Sequence, residues 1–135
     1  MSYRNNVYKW TTERKNSIWA EFVDKIPEYY KNDFVYKDKR EIVVKSGYSW
    51  DGASPKIRFY GHIIGTPDFN EKTKKATLWH DIFYQFSEDF SSFGINRKEV
   101  DELFLIHLQE NNFRFAKMYY RAVRLFGWMN WNRNK

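Results

Sequence analysis

Hydrophobic and polar positions follow different periods in the two halves of this 135-residue chain. Between Ser17 and Val44 the β-branched and aromatic residues come in short runs, "SIWAEFV" and "DFVYKDKREIVV". Phe34-Val35-Tyr36 and Ile42-Val43-Val44, separated by the polar "KDKRE", predict an antiparallel hairpin. "IPEYYKND" predicts a loop or a short helical turn. From Gly47 to Phe69 the breaks at Gly47, Gly52 to Pro55, Gly61 and Gly65 to Pro67 predict a long ordered loop region, a place where binding residues sit.

Beyond that loop the period becomes helical. In "EKTKKATLWHDIFYQF", Ala76, His80, Phe83 and Tyr84 share one face at i, i+4, i+7 and i+8. The next helix has a start signal: Asn96 as N-cap with Glu99 three positions on, followed by the stripe Val100, Phe104, Leu105 and Leu108. "FRFAKMYYRAVRLFG" predicts a third helix, with Ala116, Tyr119, Tyr120, Val123 and Phe126 inward and Gly127 as its stop. The expected class is α+β: an N-terminal antiparallel hairpin or small sheet, a long ordered loop, then three C-terminal helices.

No repeat, low-complexity tract or linker divides the chain, so one domain over residues 1–135 is expected. Within it, residues 1–46 are β-rich, 47–70 form the loop region, 71–127 the helical part and 128–135 a tail. That tail, with Trp128, Trp131 and Arg133, carries groups able to stack on bases or lipid headgroups, although capping the core is the expected role.

Composition narrows the chemistry. The 12 Phe, 10 Tyr and 6 Trp against 6 Gly and 3 Pro supply enough apolar surface to fold at this length. The absence of Cys removes disulfides, thiolate metal sites and a cysteine nucleophile. A metal would have oxygen or imidazole ligands. No run reaches the ~18 to 20 apolar residues of a membrane span, and "MSYRNNVYKW" lacks signal-peptide order, so a soluble protein made in a cytoplasm is expected. The net charge of +6 favours phosphate-rich partners. However, Lys and Arg fall in scattered groups, Arg14-Lys15, Lys37 to Arg40, Lys72 to Lys75 and Arg121 to Arg124, which reads as solvated surface and makes nucleic acid a less favoured partner.

The candidate chemistry lies in "TLWHDIFYQF". An imidazole and a carboxylate inside an apolar run cost desolvation unless they are paired or bound. If His80 shares the stripe with Tyr84, it faces the helix that begins at Asn96, where Asp101 interrupts the seam between Val100 and Phe104. One ring nitrogen of His80 can donate to Asp101, leaving the other as a base. Asp81, about 100° further round the helix, faces the loop side, where it can ligate a hard cation. The same residues read equally as a buried hydrogen-bond network that locks two helices together. His62 and His107 read as structural or surface residues, and Ser54 lacks the context of a nucleophile.

Four motifs in order carry a resemblance: "GYSWDGASP" at 47–55, "HDIFY" at 80–84, "NRKEVDELF" at 96–104 and "YYRAVRLFG" at 119–127. Together they resemble an uncharacterised family of small phage and prophage proteins with a G-[FY]-x-x-D-x-[AS]-S-x-P loop and an H-D-x-x-Y helix. The resemblance spans roughly Asp33 to Gly127 and implies a phage- or prophage-encoded accessory protein. More distantly, H-D-x-x-Y followed by a helical Asp is similar to the core of calcium-dependent secreted and parvoviral phospholipases. That similarity implies His80 as general base, Asp101 as its orienter, Tyr84 as a hydrogen-bond donor to the Asp, and Asp81 as a Ca²⁺ ligand. In place of the Gly-rich calcium loop of those enzymes, this chain has "SWDGASPK", so Asp51 becomes the second candidate ligand.

Two functions follow as expectations. One is a metal-assisted ester or acyl hydrolase using the His80–Asp101 dyad, with a lipid or other ester as substrate. The other is a non-catalytic virion or host-interaction protein that binds other phage proteins while the same residues hold the helices together.

Overall fold

The chain is α+β, and its computed structural model describes residues 2–3, 10–50 and 71–131. It falls into two compact units, Met1–Asp51 and Gly52–Lys135.

The first unit contains two small antiparallel sheets. Strands β1 (Ser2–Tyr3), β2 (Trp10–Thr11) and β6 (Ser49–Trp50) pair in the order β1-β2-β6. Strands β3 (Asn16–Ile18), β4 (Val35–Asp38) and β5 (Glu41–Val44) pair in the order β3-β5-β4. The expected hairpin is β4-β5, with Val35 opposite Val44 and Asp38 opposite Glu41. Lys39 takes the left-handed conformation at its turn, φ 54°. Val35, Ile42, Val43 and Val44 are buried, and Lys37 escapes the penalty of burial because its ammonium donates to the Ile26 carbonyl at 2.6 Å.

"SIWAEFV" divides after Ile18: Asn16–Ile18 pairs as a strand, whereas Glu21–Lys25 winds into a 3₁₀ turn that buries Phe22 and Val23. Buried Thr12 ties down the segment after β5. Its hydroxyl donates to the Lys45 carbonyl at 2.9 Å and accepts from the Tyr48 amide at 2.9 Å. Gly47, at φ +89°, provides the left-handed residue that this turn requires.

The second unit is helical: α1 (Lys74–Gln85), α2 (Ser87–Ser92), α3 (Arg97–Glu110) and α4 (Ala116–Phe126). Three helices were expected, and α2 is the additional one. Its sequence, "SEDFSS", has the composition of a turn, but Phe90 is fully buried against Phe83 with ring centroids 5.0 Å apart. Burial of that one ring outweighs weak propensity over six residues. Gly94 at φ +89° then ends the helix, with the Ile95 amide returning to the Phe90 carbonyl.

Helix α3 starts with the expected capping box, the Asn96 side chain accepting from the Glu99 amide and Glu99 accepting from the Asn96 amide. At its other end Asn112 takes a left-handed φ of 58°, and the Phe113 amide bonds back to the Leu108 carbonyl. Phe113 thereby enters the core with Ala76, Phe104, Leu108, Ala116 and Tyr119. This core binds α1 to α3 and α3 to α4, setting one face of each helix toward the others. Leu105, Tyr120 and Phe126 lie at its margin rather than inside it.

Candidate functional site

Three helices contribute to one buried carboxylate. On α1, a spacing of four places His80 and Tyr84 on the same face, with ring centroids 4.2 Å apart. On α3, Phe104 covers the other side of the imidazole at 4.6 Å. Asp101 lies one turn before Phe104 and is completely buried.

Asp101 uses both oxygens. Oδ1 accepts the Tyr84 hydroxyl at 2.7 Å and lies 2.8 Å from His80 Nε2. Oδ2 accepts from Arg124 Nη1 at 2.8 Å and from Arg97 Nη1 at 3.2 Å. Four donors fill the acceptor capacity of an ionised carboxylate. Because such a carboxylate only accepts, Nε2 of His80 carries a proton, and in a neutral ring the lone pair is then on Nδ1. Among the described residues, none bonds Nδ1, and the His80 side chain retains 13% exposure. An imidazole held at one nitrogen in this way has the other nitrogen available for proton transfer.

The electrostatics set two other features. Burial, reinforced by the nearby Asp101 charge, raises the Tyr84 phenol well above its ordinary range, so it remains a protonated donor. Two guanidinium groups face one carboxylate. The cluster therefore carries a surplus positive charge, and Arg124, about one-third exposed, is its outermost cation.

Arg97 also joins the helices mechanically. Its guanidinium donates to the Val123 carbonyl at 3.1 Å and the Arg124 carbonyl at 3.4 Å, at the C-terminal end of α4. The Val123 carbonyl also accepts from the Gly127 amide, and a cation at this end of the helix complements the helix dipole. Gly127 follows immediately and ends α4 as its C-cap, as expected. Its φ is −66°, and the chain continues as a 3₁₀ turn through Met129. A β-carbon at this position would meet the Tyr84 hydroxyl at 2.5 Å. Glycine is required here for close approach, not for handedness.

A family described as "Protein of unknown function (DUF1353)" matches residues 30–123, well over half of the chain. The chain belongs to this family. Within DUF1353 the matched stretch includes His80, Asp81, Tyr84, Arg97 and Asp101 and stops one position before Arg124. No match was found among curated proteins or among solved structures.

Of the residues singled out from the sequence of this DUF1353 member, His80, Tyr84 and Asp101 are in direct contact. Asp81 is partly buried on α1. Asp51, Ser54 and His62 lie outside the described residues. Among the described residues no three His, Cys, Asp or Glu side chains gather to hold an ion, and Asp51, the expected partner of Asp81 in a calcium site, lies outside them. Trp131 caps the site as expected of the tail, its ring 5.1 Å from that of Tyr84, whereas Trp128 is 64% exposed. The two arginines were missed. Arg97 had a local signal, its i, i+4 spacing to Asp101. Arg124, 23 positions away from Asp101, had none.

Proposed function

We propose that this chain is a phage- or prophage-encoded accessory hydrolase in which His80 activates water for attack on an ester or other acyl carbonyl. The observation behind this reading is the His80 Nε2 to Asp101 Oδ1 bond of 2.8 Å on a largely covered imidazole, supported by Tyr84 on the same oxygen. In this reading Nδ1 takes a proton from water as the water oxygen forms a bond to the carbonyl carbon. Asp101 holds the ring and stabilises the imidazolium. The proton then passes from His80 to the leaving alkoxide as the acyl bond breaks. Arg124 is the cation available to the developing oxyanion. Its setting is the host cytoplasm or the virion.

The test is turnover of p-nitrophenyl esters of graded acyl length by the parent, His80→Asn and Asp101→Asn. The expected result is turnover by the parent that falls by about 100-fold or more in His80→Asn, with the melting temperature nearly kept. Equal rates in parent and His80→Asn, or no turnover by the parent, would sink the reading.

A second reading rests on a separate observation, the Arg97 and Arg124 bonds to Asp101 Oδ2. With His80 and Tyr84 on the other oxygen, they leave the buried carboxylate fully satisfied, as a structural network between helices requires. On this view the cluster is a helix lock in a non-catalytic protein that binds other phage components. Inactivity of the parent combined with severe destabilisation by Asp101→Asn is the result this reading expects.

A further inference from the structure

We infer that the outer face of α4 docks onto the surface of an anionic lipid bilayer. The inference is independent of catalysis at His80.

It starts with where the charge lies. From Asn111 to Lys135 the sequence contains no Asp or Glu, but it does contain Arg114, Lys117, Arg121, Arg124, Arg133 and Lys135. The 17 remaining Lys and Arg equal the 17 Asp and Glu of the chain. Thus the whole net charge of +6 resides in the last 25 residues, and the spread of basic groups along the rest is balanced. Arg133 and Lys135 contribute to that count by sequence only, and Arg124 is engaged with Asp101.

The helix organises what remains. Lys117, Arg121 and Leu125 recur every four residues on α4, and Trp128 follows one turn later. All four are exposed, Leu125 and Trp128 at 64% each. The opposite face, with Ala116, Tyr119, Ala122 and Val123, is committed to the core. The outward stripe extends about 16 Å at helical rise. It carries its cations toward one end and a large aliphatic and an indole at the other. Among the described residues no acid pairs with Lys117 or Arg121.

Leucine and tryptophan side by side in water are poorly placed, while at a bilayer surface Leu125 enters the acyl boundary and the Trp128 ring sits at headgroup level. Lys117 and Arg121 extend their alkyl stems and meet anionic headgroups. A nucleic acid would use the cations and the indole but has no place for Leu125, so lipid accounts for the whole stripe. Among the described residues no helix is long and apolar enough to cross a membrane, so the contact proposed is peripheral.

The experiment is co-sedimentation of the full chain with phosphatidylcholine vesicles, with and without phosphatidylglycerol. The His80→Asn variant is run alongside, so that binding is measured apart from turnover. Expected is partition onto the phosphatidylglycerol vesicles alone, equal for parent and His80→Asn and weakened by salt. Lys117→Gln and Arg121→Gln should each lower it about fivefold. Leu125→Ser/Trp128→Ser should lower it by at least about tenfold while leaving the melting curve intact. Failure to bind anionic vesicles at low salt would overturn the proposal. So would undiminished binding by the Leu125/Trp128 variant. Stronger retention on a DNA duplex than on vesicles, insensitive to Leu125, would also overturn it by making the stripe a nucleic-acid face.

Discussion

Gly127 and Tyr84 approach so closely that a β-carbon on the glycine would stand 2.5 Å from the phenol oxygen and 3.2 Å from the ring. Arg97 Nη1 would lie 3.0 Å from the same carbon. Both of these side chains are held by Asp101 and cannot turn aside without releasing it.

Gly127→Ala should therefore destabilise the chain by about 1 to 3 kcal/mol, the usual cost of overfilling a packed site. Urea unfolding gives the value. Gly127 lies in the right-handed region, so an unchanged midpoint would show that Tyr84 and Arg97 give way freely.

Asp101→Asn leaves two guanidinium groups facing an amide. Breaking a buried ion pair from one side costs about 3 to 5 kcal/mol. A loss of that size is expected in chemical unfolding. Arg124→Gln, at a more exposed position and with Arg97 still in place, should cost clearly less.

His107 provides a test by pH. It is buried on α3, and among the described residues its Nδ1 has no partner. Burial, with a smaller contribution from the Lys75 ammonium, holds its imidazole down to about 4 instead of 6.5. The unfolded chain therefore takes up the proton first as pH falls. Stability from neutral His107 is complete above pH 6.5, falls between 6.5 and about 4, and amounts to roughly 3 kcal/mol at most. His107→Leu should remove this share of the acid slope, which unfolding curves across that window would measure.

Asn96→Ala removes the side-chain half of the capping box while leaving the core untouched. About 1 kcal/mol should be lost. Amide exchange should increase first at Arg97, Lys98 and Glu99, in the opening turn of α3.

Much of the candidate site can be read along the chain. His80 and Tyr84 share a helical face by spacing, and Asp101 interrupts the apolar seam of the next helix, so their contact follows from pairing the two stripes. The capping box and the β4-β5 hairpin are equally local. Helix α2 was not legible because its only strong determinant is Phe90, whose burial depends on Phe83 of another helix.

By itself, then, the sequence determined the α+β order, the hairpin, the principal helices and the three side chains at the heart of the cluster. These depend on hydrophobic period and capping, which act over a few residues. Tertiary structure alone decided that Arg124 would reach Asp101, that Arg97 would cap α4, and that Gly127 would pass against Tyr84. Those relationships join residues 23 to 43 positions apart. They arise because the core of α1, α3 and α4 fixes how the helices close on one another, and a linear pattern does not contain that closure.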